Sequence, residues 1–200
     1  MNKVIQKTIK HDEAYLRQIS KPVLFEDPNL AGDINLLRQF CKDSNNCLAL
    51  AAVQVGVPKR IIYLKNTTLA LYDKDKSYNE AKILINPKII SRKGAAKFWE
   101  ACVSCLDYTG LVCRPYQMKI EYYDQRGNKH LKTLTGFEST VVAHEIDHLD
   151  GVLHIDIAEE ILRMDKEERK IFRKDHPYVV ISKTCDYKEP TPRIYKGWRT

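Results

Sequence analysis

The chain has 200 residues, and its 33 lysine and arginine residues outnumber 26 aspartate and glutamate residues, which gives a formal net charge of +7. This length predicts a single domain, and 44% hydrophobic with 30% charged residues is an ordinary composition for a globular protein. The composition excludes a wholly disordered chain, and the longest apolar run, Cys47 to Val53, is far shorter than the ~20 residues that a membrane span needs.

The N-terminal segment and the cysteines predict a cytoplasmic location. The first fifteen residues contain no apolar core of a secretory signal, and they contain acidic residues but no arginine, so a transit peptide is not expected. The cysteines are too sparse for a disulfide scaffold, which favours reduced thiols: Cys41, Cys47, Cys102, Cys105, Cys113 and Cys185. The mild positive charge permits contact with a nucleic acid or ribosome surface without demanding it, and neither membrane binding nor specific DNA binding is expected.

The first half of the chain contains one predicted helix and two predicted strands. Asp27-Pro28 precedes apolar residues at helical spacing, which predicts an amphipathic helix over 28–42. We expect a strand over 59–65 and a polar loop over 66–80. Ile83 to Ile85 reads as a short strand that stops at Asn86-Pro87, because proline restricts the residue before it.

The second half begins with a predicted hairpin and a predicted helix. Apolar and polar residues alternate from Met118 to Tyr123, which indicates a half-buried strand. After a turn over 124–128, a second strand is expected from Lys129 to Leu134. A helix should follow from Phe137 to Leu149, with Gly151 in the position of a helix-terminating glycine.

The last forty or so residues are rich in charge. Ala158 to Lys174 predicts another helix, which Pro177 ends, and Tyr178 to Ile181 predicts one more strand. We expect residues 188–200 to be a tail, since they show no periodicity. Strands that precede the main helix, rather than repeated strand-helix-strand units, favour an α+β fold.

The segment His144-Glu145-Ile146-Asp147-His148 carries the strongest local chemical signal. Two histidines four residues apart lie on one helix face, so both imidazoles can reach one metal ion while Glu145 lies within reach of a water. Phe137 and Val141 fall on the same helical stripe, which is typical both of ordinary core and of the apolar wall of a substrate pocket.

A catalytic metal site needs a third protein ligand, and the residues themselves offer two. The first is His154, because Gly151 and His154 continue the pattern of metzincin proteases. Metzincins also need a methionine turn, which here would have to use Met164 within a charged segment that looks helical. The alternative is Cys102, because a thiolate is a good ligand for Zn²⁺ or Fe²⁺. With His154 as the third ligand, the prediction is a metallopeptidase that uses His144, His148 and His154. With Cys102 as the third ligand, the prediction is a different enzyme.

Three segments in order resemble the motifs of peptide deformylases. Cys47 to Gly56 resembles their Gly-x-Gly-Leu-Ala-Ala-x-Gln segment, and Glu100 to Ser104 resembles their Glu-Gly-Cys-x-Ser segment. The stretch from His144 to Gly151 resembles their third motif. The resemblance covers roughly residues 10–157 and includes the flanking segments Leu16 to Val23, Ile85 to Pro87 and Val112 to Arg114.

This resemblance implies a fold and a reaction. The fold would be α+β, with short, mostly antiparallel strands around a central metal-binding helix, an N-terminal helix and a C-terminal helical extension. The reaction would be removal of the N-formyl group from the N-terminal methionine of new polypeptides, with release of formate. Residues 1–175 would form the catalytic domain, and residues 176–200 an extension or tail.

The resemblance also implies the roles of individual residues. One divalent ion would be held by Cys102, His144 and His148, with Fe²⁺ in the cell and Zn²⁺ or Ni²⁺ possible after purification. Glu145 would act as general base and then acid. Gln54 and the backbone N–H of Val103 would stabilise the oxyanion. The substrate would contact Ala49, Glu100, Phe137 and Val141.

Several positions depart from the family pattern. Small or polar side chains replace its usual residues at Cys47, Ala49, Ala101, Thr109 and Ala143. Each lost glycine adds a Cβ beside the cleft, which motivates a further alternative, a deformylase-like protein that binds formyl peptides without turnover. We expect Cys105 and Cys113 to be core thiols, and Arg114 to form a surface ion pair.

Two partners follow from the resemblance. The first is the N-formylmethionyl nascent peptide. The second is the ribosome near its exit tunnel, which would be reached through the basic C-terminal region. A solvated helix face is the simpler interpretation of that region, because acidic residues balance much of the charge of its helix.

Overall fold

A computed structural model describes residues 6–44, 47–65 and 82–199. The predicted loop over 66–80 falls outside these ranges. The helices are α1 (Ile9–Leu16), α2 (Leu30–Asp43), α3 (Phe137–Leu149), α4 (His154–Ile157) and α5 (Lys166–Asp175). The strands are β1 (Ala49–Ala51), β2 (Ile61–Leu64), β3 (Lys82–Lys93), β4 (Ala95–Ala101), β5 (Tyr108–Arg114), β6 (Gln117–Tyr123), β7 (Lys129–Thr135), β8 (Glu160–Arg163) and β9 (Val179–Ser182). Among these helices, none is long and apolar enough to cross a membrane.

The strands form two antiparallel sheets, which confirms the α+β prediction. The first has the order β1-β2-β3-β6-β7 and the second the order β8-β5-β4-β9. β6 and β7 pair as the predicted hairpin, with Gln117 opposite Thr135. The buried residues of β6 follow the period of two that the sequence shows.

Helix α3 is the central element, and it has the predicted bounds. Its residues are buried around nearly the whole circumference, because the first sheet and the strands of the second lie against it. The chain leaves it through Gly151 at φ +75°, and a Cβ there would collide with the backbone of Arg17. Glycine is therefore required at this turn for its conformation and for its size.

Two apolar clusters pack on the two sides of the first sheet. One joins α3 to β6 and β7 through residues such as Val142, Ile146 and Leu134. The other joins the predicted amphipathic helix, now α2, to β1 and β2 through Leu37, Leu50 and Ile61. This double coverage explains why β1 and β2 are apolar on both faces.

The prediction of a strand that stops at Asn86-Pro87 was wrong. β3 runs through both residues as far as Lys93, and its pairing with β6 shifts register between Ile85 and Lys88. Asn86 adopts φ +50° at this irregularity, and its side chain bonds the backbone of Val23 in both directions. A bulge accommodates a proline that a regular central strand would exclude.

The prediction of one helix over Ala158–Lys174 was also wrong. Glu160–Arg163 is the edge strand β8, paired with β5, and only Lys166–Asp175 is helical. The side chain of Asp165 accepts from the backbone N–H groups of Glu167 and Glu168 and so caps a new helix. The open edge of β5 supplies backbone hydrogen-bond partners to Glu160–Arg163. These partners favour a strand over a helix in the first half of the segment 158–174.

Residues after Pro177 lie against the rest of the protein. The predicted strand is observed as β9 and pairs with β4. Tyr195 and Trp198 pack on the apolar cluster that contains Cys102 and Cys105. The tail predicted over 188–200 therefore packs against the protein as far as residue 199, while the domain division at residue 175 stays a prediction.

Asp156 is the polar centre of this C-terminal attachment. Its carboxylate accepts two hydrogen bonds from Arg17, at 2.7 and 3.1 Å, and one each from the backbone N–H groups of Leu153 and Tyr195. Its side chain is almost fully buried. One carboxylate thereby connects α1, α4 and the C-terminal segment.

We expect Asp156→Asn to lower the free energy of unfolding by about 3 kcal/mol. The change removes the buried carboxylate that accepts two hydrogen bonds from Arg17, leaves that guanidinium paired with Glu13, and replaces an acceptor oxygen by a donor. For a chain of this size the fall in Tm would be roughly 6–12 °C, measured by calorimetry. Glu189→Gln is the matched control, because Glu189 forms an exposed ion pair with Arg92 and should change Tm little. Equal effects of the two variants would contradict the assigned role of Asp156.

Candidate active site

Cys102, His144 and His148 converge at the centre of the molecule. The Cys102 Sγ lies 3.1 Å from His148 Nε2, which lies 3.2 Å from His144 Nε2. Within the described ranges, these three side chains form the group whose ligand atoms all lie within 4.8 Å of one another. One sulfur and two imidazole nitrogens at such distances are suited to one divalent transition metal.

Separate elements place these three ligand atoms. His144 and His148 project from consecutive turns of α3. Cys102 follows the last residue of β4, where a short 3-10 turn over Val103–Cys105 begins. The backbone N–H of Ser104 donates to the Cys102 Sγ at 3.3 Å, which orients the sulfur toward the helix.

The surroundings of Cys102 favour its thiolate. Burial alone would raise the pKa of this thiol, but a hydrogen bond with Cys105 and the neighbouring charge of His148 hold the pKa well below its usual range. A metal-binding cysteine must be deprotonated. The site therefore presents Cys102 in the ligating form.

A buried ion-pair network binds Nδ1 of His144, the ring nitrogen that does not face His148. Glu100 Oε2 lies 2.8 Å from His144 Nδ1, and Arg114 donates to both oxygens of Glu100, at 2.8 and 2.9 Å. Arg114 also pairs with Asp147. Burial alone would raise the pKa of Glu100, but the charge of Arg114 holds it well below its usual range. Nδ1 is thereby engaged, which turns Nε2 toward the cluster.

Arg114 itself corrects a prediction made from the sequence. It was expected to form a surface ion pair, but the residue is only 3% exposed. The carboxylates of Glu100 and Asp147 compensate the charge of the buried guanidinium, and both residues belong to motif segments. The sequence analysis assigned no role to Asp147, which pairs with Arg114. Its place within the predicted metal motif was the signal that could have indicated one.

Gln54 lies directly beside the cysteine. Its Nε2 donates to Cys102 Sγ and to Ser104 Oγ, each at 3.2 Å, and its Oε1 accepts from the backbone N–H of Ala51. The amide is thus fixed with its donor end facing the cluster. Ser104 is fully buried. Val103 is partly exposed on the turn that begins at Cys102.

Glu145 is buried beside the two histidines. Its Oε2 has no hydrogen-bond partner among the described residues. Burial raises the pKa of its carboxyl group, while the charges on His144 and His148 oppose that rise. An unpartnered buried carboxyl group next to a ligand cluster is suited to accept and release a proton.

His154 lies close to the cluster but does not belong to it. Its ring centre is 5.6 Å from that of His144, and within the described chain neither ring nitrogen has a hydrogen-bond partner. Burial lowers the pKa of His154 to about 4, so the ring is neutral near pH 7. The geometry therefore favours Cys102 over His154 as the third ligand.

The residues predicted to contact substrate lie in different surroundings. Ala49 begins β1 and is half-buried. Phe137 and Val141 are buried in the main apolar cluster, where Phe137 makes an edge-on contact with Phe98. Thr109 is fully buried and donates to the backbone carbonyl of Glu100, so it supports β4.

The other cysteines differ in burial, and Cys185 is exposed. Cys105 is fully buried next to Cys102, as expected of a core thiol, whereas Cys113 is only half-buried. Cys47 is buried at the start of the first motif. Ala143 is buried on α3, and Ala101 is the half-buried last residue of β4.

Sequence comparisons connect the chain with known proteins. A family model described as polypeptide deformylase matches residues 5–164. The peptide deformylase of Pelagibacter ubique is 33% identical over 156 residues, which cover 76% of this chain and 85% of that protein. The peptide deformylase of Rhizobium meliloti is 34% identical over 149 residues, which cover 74% of this chain and 82% of that protein.

Solved structures resemble the fold as well. A probable peptide deformylase from Synechococcus phage S-SSM7 aligns with a TM-score of 0.63 and 32% identity, over 77% of this chain and 99% of that one. A peptide deformylase from Synechococcus elongatus, solved in complex with actinonin, aligns with a TM-score of 0.66 and 26% identity, over 86% of this chain and 85% of that one.

Proposed function

Because this chain belongs to the polypeptide deformylase family, we propose that it hydrolyses the N-formyl group of N-formylmethionyl nascent peptides and releases formate. The observation that carries this proposal is the convergence of Cys102, His144 and His148 with Glu145 beside them. Since nascent chains are the proposed substrates, we also propose that the enzyme acts in the cytoplasm.

The donor set fits one divalent metal ion. A thiolate sulfur and two imidazole nitrogens lie within 4.8 Å of one another, and Glu100 holds the second nitrogen of His144. We propose Fe²⁺ in the cell, with Zn²⁺ or Ni²⁺ as replacements after purification. When bound, the metal would supply Lewis acidity to the formyl carbonyl and to the attacking water.

Glu145 moves the proton in this proposal. Its unpartnered Oε2 takes a proton from the attacking water and later gives it to the departing amine. Burial raises the pKa of the carboxyl group, which makes it a better base than an exposed glutamate.

Gln54 and the backbone N–H of Val103 would stabilise the negative charge that develops on the formyl oxygen. The donor end of Gln54 already faces the cluster, and a preorganised donor of this kind lowers the barrier by about 3 kcal/mol. Ala49, Phe137 and Val141 are proposed to contact substrate. Both oxygens of Glu100 are bonded to Arg114 and His144, so we assign it to positioning His144.

The direct test is formate release from a formyl-Met peptide by the metal-loaded protein. We expect turnover with that peptide and none with the acetyl-Met peptide of the same sequence, because the acetyl methyl group crowds the attacked carbon. Formate is measured with a coupled dehydrogenase, and removal of the metal by a chelator should abolish it. Tight binding of the formyl peptide with no formate released would instead establish a non-catalytic binding protein.

Ribosome contact is a second part of the proposal. Lys188, Arg193 and Lys196 are exposed on the segment that packs along the surface near α4. The backbone N–H groups of Arg193 and Tyr195 donate to Asp156, which attaches this segment to α4. Ribosomal RNA near the exit tunnel is the anionic surface that they would contact.

The test of ribosome contact uses Lys188→Ala, Arg193→Ala and Lys196→Ala together. Co-sedimentation with ribosomes at several salt concentrations should show weaker binding, with a salt slope of log K smaller by about 3 if each cation contacts a phosphate. A control variant with Lys42, Lys88 and Arg126 replaced by alanine removes the same charge from other exposed sites. Equal loss in both variants would show that net charge alone drives the binding.

A further inference from the structure

We propose that Cys41 and Cys47 form a disulfide bond when the protein is exposed to hydrogen peroxide, at a site separate from the metal cluster. Their Sγ atoms lie 2.6 Å apart, roughly 0.5 Å more than a disulfide bond length. Both cysteines are free in the structure and both are buried. Two sulfurs held this close by a packed core need little rearrangement to become bonded.

The two sulfurs are held by different elements. Cys41 lies in the last turn of α2, and Cys47 lies two residues before β1. Both belong to the apolar cluster formed by Leu37, Leu50 and Ile61. A bond between them would therefore join the end of α2 to the start of β1, the strand that precedes the turn carrying Gln54.

The reaction balances with hydrogen peroxide as the oxidant. The hydrogen bond with Cys41 and burial raise the pKa of the Cys47 thiol, so we assign the first attack to the Cys41 sulfur, acting as its thiolate. This thiolate attacks one peroxide oxygen, the O–O bond breaks, and the departing hydroxide takes a proton to become water. Cys41 is left as a sulfenic acid, in which its sulfur is oxidised.

The second step closes the bond. The Cys47 sulfur attacks the Cys41 sulfur, the S–O bond breaks, and the leaving hydroxide takes the Cys47 proton as a second water. One peroxide and two thiols thus give one disulfide and two waters. Hydrogen peroxide is little larger than water, which lets it reach buried sulfurs from which glutathione disulfide is excluded.

The bond should stabilise the enzyme without inactivating it. Because the sulfurs are already close, β1 and Gln54 keep their positions when the bond forms. Cross-linking two residues six apart reduces the freedom of the unfolded chain, and for a protein of this size we expect Tm to rise by about 5 °C. Activity per metal ion should change less than twofold.

The experiment treats zinc-loaded protein with hydrogen peroxide, since Zn²⁺ has no redox chemistry of its own. Trypsin cleaves after Lys42, between the two cysteines, so the disulfide links the tryptic peptides 39–42 and 43–59. We expect that linked pair in the mass spectrum, with a mass lower by two hydrogens than the two peptides together. Dithiothreitol should separate the peptides and reverse the rise in Tm.

Cys41→Ser and Cys47→Ser are matched controls, and Cys113→Ser is a control at an unrelated thiol. Tm should no longer respond to peroxide in either of the first two variants, whereas Cys113→Ser should behave as the unchanged protein does. The proposal is overturned if Cys41 and Cys47 both remain open to alkylation after unfolding of the peroxide-treated protein. It is also overturned if either cysteine is found bonded to another partner instead.

Discussion

Cys102→Ala is expected to lose the bound metal ion and to lower kcat/KM by at least ~10³-fold, since metal catalysis supplies several kcal/mol of transition-state stabilisation. The sulfur lies 3.1 Å from His148 Nε2, and two imidazoles alone hold a divalent ion weakly. Metal content is measured by elemental analysis of the purified variant. The Cys102→Ala variant should remain folded without the metal ion, because alanine fills part of the same buried space.

His154→Ala is the matched control, because it removes the other candidate ligand from the same neighbourhood. The variant should keep its metal and most of its activity, although the cavity left by a buried ring lowers its Tm. The contrary result, metal lost from the His154 variant but kept by the Cys102 variant, would refute the proposed ligand set. It would restore the metallopeptidase hypothesis for this chain.

Glu145→Gln is expected to retain the metal ion and to lower kcat by ~10²–10⁴-fold, which is the usual contribution of a general acid–base residue. Glutamine has the same size and keeps one acceptor oxygen, but it cannot take a proton from water at neutral pH. Formate release and metal content are measured on the same preparation. Turnover like that of the unchanged enzyme, with the metal present, would exclude Glu145 as the base.

Gln54→Leu serves as the comparison for Glu145→Gln. It removes one donor to the developing oxyanion and the hydrogen bond to Cys102 Sγ, yet it leaves all three proposed ligands in place. The expected loss in kcat/KM is about 10²-fold, at the lower end of the range expected for Glu145→Gln. An unchanged kcat/KM would remove Gln54 from the oxyanion site.

Elements whose sequence shows a single regular pattern of apolar and polar residues were predictable from the local sequence. Helix α3 has the predicted bounds because a glycine lies just before and another just beyond it, at Gly136 and Gly151. The β6–β7 hairpin was predictable because buried residues alternate with more exposed ones along β6, and a polar turn separates the two strands. β4 and β5 were missed, since neither Ala95–Ala101 nor Tyr108–Arg114 alternates regularly between apolar and polar residues.

Contacts between distant segments overruled local preferences elsewhere. β3 continues through Pro87 because β6 is available as a partner on both sides of the bulge. The charged segment that begins at Ala158 contains a strand because the edge of β5 is open beside it. In both places the neighbouring strand, which lies far away in the chain, decides the conformation.

The sequence by itself determined the residue types of the site, the helix that carries His144 and His148, and the order of three motifs that identifies the family. Residue chemistry and spacing left the third ligand open between Cys102 and His154, and the resemblance to the family implied Cys102. Only the tertiary structure brings the end of β4 against α3, with the Cys102 Sγ 3.1 Å from His148 Nε2. The turn at Gly151 leads His154 onto another helix, where its ring stays outside the ligand cluster.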